Sequence, residues 1–280
     1  MIQEKTISTG AFEFDCRIAG KEGDEAIILL HGFPETSHMW TSLMEHLASK
    51  GFYCIAPNMR GYSKNACPKG VSNYTVAKLS KDVLDIADSF SIQKFHLVAH
   101  DWGAAIGWAT VYDYGARIIS WTSLSVPHNR AFGKAYKTDP QQKKKSRYIL
   151  WFLIPIIPEL MLRSKDFKKF RYLWKHSTPE ELEDYLTVFR RKNTLTAALN
   201  YYRANLRGKK GHPVGDIQTP TLFIWGNHDL AIGSTAAEGN HKYMKGPYTF
   251  VEVDGGHWLM QTNYVEVKEA VTKHLEEWRT

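Results

Sequence analysis

A chain of 280 residues, 43% hydrophobic and 23% charged, can bury a large core, as one big α/β domain or as a domain carrying an insertion. The start Met1-Ile-Gln-Glu-Lys-Thr has no basic and apolar leader pattern, the longest apolar run (Tyr148 to Pro158) is short and broken by prolines, and Cys16, Cys54 and Cys67 form no CxxC pair; secretion, a membrane span, a disulfide framework and a zinc site are not expected, and a reducing cytoplasm is. The net charge of +7 is densest at Lys143-Lys144-Lys145, with Lys134, Lys137 and Arg147 nearby, and with no nucleic-acid motif beside it the run reads as a solvated helix face.

In chain order, Phe12, Phe14, Cys16 and Ile18 alternate with polar residues after a Thr9-Gly10 turn, which predicts a half-exposed antiparallel strand near a sheet edge. Ala26 to Leu30 is continuously apolar, as in a strand covered on both faces. Trp40, Leu43, Met44 and Leu47 follow at helical spacing, then a strand at Phe52 to Ala56. A second helical stripe is formed by Val76, Leu79, Val83, Ile86 and Phe90. Further strands are predicted at Phe95 to Ala99, Ile118 to Val126, Thr221 to Trp225 and Thr249 to Val253. Val267, Val271, Leu275 and Trp278 mark a last helix. This alternation implies a mainly parallel sheet with helices on both faces. From about Pro127 to Gly215 it stops. That stretch is helical and rich in Tyr, Trp, Lys and Arg, so residues 1–126 and 216–280 are expected to form the core domain and 127–215 a helical cap.

Ala99-His100-Asp101-Trp102-Gly103 lies between a predicted strand and helix, with Ala104, Ala105 and Gly107 following. Small residues two positions either side of the centre permit the strained turn of a nucleophile elbow. Serine usually occupies the centre. Here it is Asp101, and GxSxG is absent. An aspartate at a helix start is often only an N-cap, but two other segments support a catalytic role. His31-Gly32-Phe33-Pro34 follows the first buried strand, where such folds supply one oxyanion-hole amide; the residue after the nucleophile supplies the other, so Phe33 and Trp102 are the candidate donors. Asp229, in Gly226-Asn227-His228-Asp229, and His257, in Asp254-Gly255-Gly256-His257-Trp258, each follow a predicted strand. The order nucleophile–acid–histidine matches a hydrolase triad. His100, beside the nucleophile, reads as a partner within the elbow, since the triad already has its base.

These motifs resemble the aspartate-nucleophile α/β-hydrolases, most closely the epoxide hydrolases, with haloalkane and fluoroacetate dehalogenases as near relatives. The resemblance runs through HGFPETSHMW, Arg60-Gly61-Tyr62-Ser63, the AHDWG elbow, the cap and GGHW, and departs at Ser63, where the family usually has glycine in a structural loop. It implies the α/β-hydrolase fold, with the cap inserted after the sixth strand, and a reaction needing no cofactor and no metal. A carboxylate with pKa near ~4 is ionised at neutral pH and attacks carbon without a base. The resulting Asp101 alkyl ester would be hydrolysed by water that His257, held by Asp229, activates.

Epoxide oxygen needs an acid as its C–O bond breaks, and the resemblance implies two cap tyrosines for it. Tyr148, seven residues before Pro155, is the first; Tyr202, in Asn200-Tyr201-Tyr202-Arg203, is the second, with Tyr201 as competitor. The expected partners are a small hydrophobic epoxide and water, with Trp102, Phe33 and Trp151 as substrate contacts. A dehalogenase would use the same triad, with the Trp102 indole and a cap tryptophan, Trp151 or Trp174, holding the halide. Fluoroacetate dehalogenases carry arginines just after the nucleophile. Trp102 to Trp108 has none, which disfavours an acidic substrate. A ligand receptor on the same fold is the third reading. The apolar run Trp151 to Met161 predicts a hydrophobic tunnel, although a packed cap interior would give the same pattern.

Overall fold

The computed structural model describes residues 1–207 and 211–280. Its centre is an eight-stranded sheet: β1 Gln3–Ser8, β2 Glu13–Ala19, β3 Glu25–Leu30, β4 Phe52–Pro57, β5 Phe95–His100, β6 Ile118–Leu124, β7 Thr221–Gly226 and β8 Tyr248–Val253. The spatial order is β1-β2-β4-β3-β5-β6-β7-β8. β1 and β2 run antiparallel to their neighbours and the rest of the sheet is parallel. β3 and β5 sit in the middle and every residue of β5 is buried; in β3 this gives the unbroken apolar run Ala26 to Leu30, with Ile27 to Leu29 fully buried.

β1 was not visible in the sequence. Only Ile7 of its six residues is buried, so no alternation marks it, and its charged exposed residues suit an unpaired sheet edge. The remaining strands fall where the apolar runs predict, and the antiparallel strand is indeed next to an edge.

Before the sixth strand the helices are α1 Thr41–Ser49, α2 Val76–Ser89 and α3 Trp102–Asp113. Between β6 and β7 the described residues form α4 Asn129–Thr138, α5 Pro140–Lys145, α6 Arg147–Phe152, α7 Ile157–Leu173, α8 Pro179–Arg190 and α9 Thr194–Leu206, with no strand among them. α10 Ser234–Glu238, α11 Leu259–Thr262 and α12 Tyr264–Glu277 complete the chain. α2 packs against α3, and α1 is tied to α12 by His46 Nε2 and Thr272 Oγ1 at 3.1 Å, giving the helical layers that cover the sheet.

The helices between β6 and β7 have readable causes. Asp139 caps α5 with Pro140 in its first turn, and Thr178 and Glu181 form a reciprocal capping box on α8 ahead of Pro179. α7 breaks at Ser164–Phe167, where the backbone leaves helical values, and Asp166 at the break pairs with Arg171 and Arg190, each at 2.6 Å. Buried Arg203 of α9 clamps the α6–α7 corner. Its guanidinium donates to both Glu159 oxygens at 2.7 and 3.0 Å, to the Phe152 carbonyl and to the Ile154 carbonyl. These helices are joined to the sheet domain by Asp184, which takes Arg17 at 2.6 Å and Thr36 at 2.5 Å, and by the Tyr201 hydroxyl donating to the Arg60 carbonyl at 2.6 Å.

The run Trp151 to Met161 forms neither a tunnel wall nor a packed interior. Phe152, Pro158 and Leu162 turn inward, but Ile154, Ile156, Ile157, Leu160 and Met161 are exposed on the outer surface. A short helix, a proline corner and a second helix start cannot all point one way. No described helix is long and apolar enough to cross a membrane.

Candidate active site

Asp101 sits at the tight turn between β5 and α3 with φ 50° and ψ −118°, a conformation an L-residue adopts only when its surroundings hold it there. Two glycines make room. A Cβ on Gly103 would lie 2.4 Å from the Leu30 carbonyl oxygen, and one on Gly32 would lie 2.3 Å from the Asp101 Cβ. The small residues in AHDWG and HGFP therefore answer one steric demand, close passage of the elbow beneath the β3 loop. His31 fixes that loop: its Nδ1–H donates to the Gly32 carbonyl at 2.9 Å and its Nε2 accepts the Met59 amide at 3.0 Å. Complete burial lowers its pKa to about 4, so the ring is neutral.

The Asp101 side chain is buried between two partners. Oδ1 accepts the Phe33 amide at 2.7 Å, and Oδ2 lies 3.3 Å from His257 Nε2. The Trp102 amide is the first of α3, a donor with no partner inside its own helix. His257 Nδ1 donates to Asp229 Oδ2 at 2.7 Å, and Asp229 Oδ1 accepts the amides of Ala231 and Ile232 at 2.7 and 2.9 Å. Asp101, His257 and Asp229 are thus joined in one hydrogen-bonded line. Burial disfavours a charged His257, but the Asp229 and Asp101 carboxylates outweigh it and lift the pKa to about 10. Burial likewise opposes ionised Asp101, yet its bond to His257 and the Phe33 amide hold the pKa below the ordinary carboxylate value.

A cavity of about 830 Å³ opens onto this line, with Asp101, Trp102, His257, Tyr148 and Tyr202 in its wall. Tyr148 and Tyr202 come from α6 and α9 and their rings meet edge to face at 6.3 Å. Burial first, and then negative charge nearby, raise both hydroxyls above the usual tyrosine range, so they are protonated at neutral pH. Tyr201, the competitor, has its hydroxyl bound to the Arg60 carbonyl and lies outside the cavity wall.

Of the three expected substrate contacts, one lines the cavity and two do not. Trp102 lines the cavity, whereas the Phe33 ring packs into Phe152, Phe170, Phe189 and Tyr202 and takes no part in the wall. Trp151 also lies outside it. Tyr148 and Ile149 take the inward face of the short helix α6, which leaves Trp151 against Phe152, with Lys169 5.5 Å above its ring. Trp174, the other candidate halide donor, is buried against Phe170 and Tyr185 and is absent from the wall.

Several residues at the site were not singled out in the sequence. The His257 carbonyl accepts from Ser125 Oγ at 2.8 Å and faces His100 Nε2 at 2.9 Å. A carbonyl only accepts, so His100 carries its proton on Nε2. His100 Nδ1 lies 3.2 Å from buried Glu35, which also takes Gln261 at 2.9 Å. His100 therefore braces His257 from behind. Lys145, read as part of a solvated face, turns inward and donates to the Asp229 carbonyl. Ser125 ends a strand beside the elbow and Glu35 follows HGFP directly; those positions were the available signals. Ser63 bridges the Asp15 amide and the Asn58 carbonyl, a structural role away from the triad.

A sequence profile described as the alpha/beta hydrolase fold matches residues 25–264. "Epoxide hydrolase 4" of Homo sapiens is 31% identical over 285 residues, covering 97% of this chain and 78% of that protein. "Epoxide hydrolase A" of Mycobacterium tuberculosis is 28% identical, covering 97% of each. A solved structure described as one of the novel epoxide hydrolases from metagenomes of hot environments superposes with a TM-score of 0.87 at 29% identity, over 98% of this chain and 99% of that one. With an aspartate elbow, a His–Asp pair behind it and that likeness along the whole length, the chain belongs to the epoxide hydrolase family of the α/β-hydrolases.

Proposed function

We propose that the protein hydrolyses an epoxide to a vicinal diol through a covalent ester on Asp101. Asp101 Oδ2, the oxygen not engaged by Phe33, attacks one epoxide carbon as the C–O bond breaks. Tyr148 and Tyr202 hydrogen-bond the departing oxygen and supply its proton. Their acidity is coupled to the step: burial first, and after it the negative charge of Asp101, raise both hydroxyls, and esterification removes the part due to that charge as the alkoxide needs a proton. The same loss of charge lowers the basicity of His257, which gives its proton, by way of water, to the tyrosinate left by ring opening and is then free to take one from the attacking water. Hydroxide adds to the ester carbonyl, whose oxygen is Oδ1. The amides of Phe33 and Trp102 stabilise the oxyanion, an effect worth about 3–4 kcal/mol per donor. Collapse expels the diol oxygen, which takes a proton from His257, and the new Asp101 carboxyl group then gives its own proton to His257, restoring the carboxylate and the imidazolium.

The observation that carries the reading is the pair of cap tyrosines sharing one cavity with Asp101 and His257. The dehalogenase alternative is weakened because neither Trp151 nor Trp174 reaches that cavity, and the receptor alternative leaves the hydrogen-bonded line Asp101–His257–Asp229 without a purpose. At about 830 Å³ the cavity accepts a substrate larger than the smallest epoxides. The test is a His257→Gln variant exposed to panels of epoxides and haloalkanes, with mass spectrometry of the Asp101 peptide. Adducts from epoxides are expected. Adducts from haloalkanes alone would make it a dehalogenase, and none from either, with tight ligand binding by the wild type, would favour the receptor.

A further inference from the structure

We propose that the outer face of α6 and α7 docks on an anionic phospholipid bilayer, making the protein a peripheral membrane binder through its cap. Leu150, Ile154, Ile156, Ile157, Leu160 and Met161 are all exposed, with Ile156 at 67%, Leu160 at 66% and Leu150 at 58%. Six large aliphatic side chains within twelve residues go beyond the scattered single exposures normal for a surface. Ile156 adds a second observation. Its φ of 72° puts a β-branched residue in the left-handed region, an unfavourable backbone for isoleucine, while its side chain points into solvent.

Charge selects the occupant. Residues 143–175 hold ten Lys or Arg against two acids, so these 33 residues have an excess of eight positive charges, more than the chain's net charge of +7. Both acids are already neutralised, Glu159 by Arg203 and Asp166 by Arg171 and Arg190. Lys143, Lys144, Lys165, Lys168, Lys169 and Lys175 remain exposed, and Lys169 lies over Trp151 beside the patch. Aliphatic tips amid cations suit insertion between lipid headgroups of negative charge. A protein partner would be met by aromatic anchors and hydrogen-bonding groups, which these six side chains lack. A second copy would bring two strongly cationic faces together. Tyr148 and Ile149 of α6 line the cavity from the other side, so the docking face and the cavity wall are one helix apart.

The test uses the full chain and sedimentation with vesicles of phosphatidylcholine alone or with about a third phosphatidylglycerol; it is independent of catalysis. Partition onto the anionic vesicles is expected to exceed that onto neutral ones at least about tenfold and to fall as salt rises from about 0.05 to about 0.5 M. Ile156→Ser with Leu160→Ser should cut partition about tenfold or more, with unchanged circular dichroism and Tm because both residues are exposed. Lys168→Glu with Lys169→Glu should abolish the preference for anionic lipid. No binding to either vesicle, equal binding to both, or indifference to both double variants would overturn the proposal. Self-association that the Ile156→Ser/Leu160→Ser variant abolishes, without vesicle binding, would assign the face to a second copy.

Discussion

Replacing Asp229 by asparagine separates the two chemical steps, and the structure fixes which should suffer. Asp229 Oδ1 accepts the amides of Ala231 and Ile232, so an asparagine must keep its oxygen there and turn its NH2 toward His257. That NH2 is a donor where Nδ1 now donates, at 2.7 Å. The imidazole must then carry its proton on Nε2, the nitrogen that has to accept from water. The charge is lost as well. Lifting His257 from its ordinary value near 6.5 to about 10 corresponds to about 5 kcal/mol of preference for the cation, shared between two carboxylates, of which Asp229 is the larger contributor. In the ester state Asp101 is neutral and Asp229 is the sole carboxylate supporting the base. Ester hydrolysis should therefore slow about 10³- to 10⁴-fold, about 4–5.5 kcal/mol. Alkylation should stay within about tenfold of wild type, because an ionised carboxylate needs no base. Rapid-quench single turnover with intact-protein mass spectrometry resolves the two, and the expected result is an accumulating adduct. Equal slowing of both steps, or hydrolysis retaining more than about a tenth of its rate, would refute the assignment.

Tyr148→Phe and Tyr202→Phe should each slow alkylation about 10- to 100-fold, leave hydrolysis of a preformed ester nearly unchanged and together cost more than either alone; burst amplitudes report this directly. His257 also makes stability depend on pH. Its folded pKa, about 10, lies above the unfolded value near 6.5, so its ion pairs stabilise fully below about pH 6.5 and that contribution fades as pH rises toward 10. Urea titrations of wild type and His257→Gln should give a stability difference that shrinks steadily over this window; a difference that grew would reverse the sign. Arg203→Met leaves Glu159 without its partner and should destabilise by about 3 kcal/mol, with Glu159→Gln in the same chain restoring part of it, as chemical denaturation can measure.

Much of the site was legible because its demands are local. The elbow needs small residues around Asp101, and the loop above it needs Gly32; both leave short sequence signatures. Strands buried on two faces declare themselves, as Ala26 to Leu30 did, whereas β1 hides because one buried residue in six leaves no pattern. Orientation was harder to read. Trp151 and the run to Met161 have the composition of a pocket wall yet take no part in it, since the facing of a six-residue helix is set by Arg203 holding the corner behind it. The inward turn of Lys145 depends on a strand end far along the chain, and no spacing within a lysine run predicts it. The choice between Tyr201 and Tyr202 similarly rests on a carbonyl at Arg60.

The central claim is that the first oxygen given to substrate comes from Asp101 and water replaces it. A single turnover in H2(18)O, with enzyme in excess over epoxide, tests this most directly. The account predicts unlabelled diol and one heavy oxygen in the Asp101 peptide, because hydroxide adds to the ester carbonyl carbon. Labelled diol with an unlabelled Asp101 peptide would mean that water attacks the epoxide itself, and the covalent mechanism would be wrong.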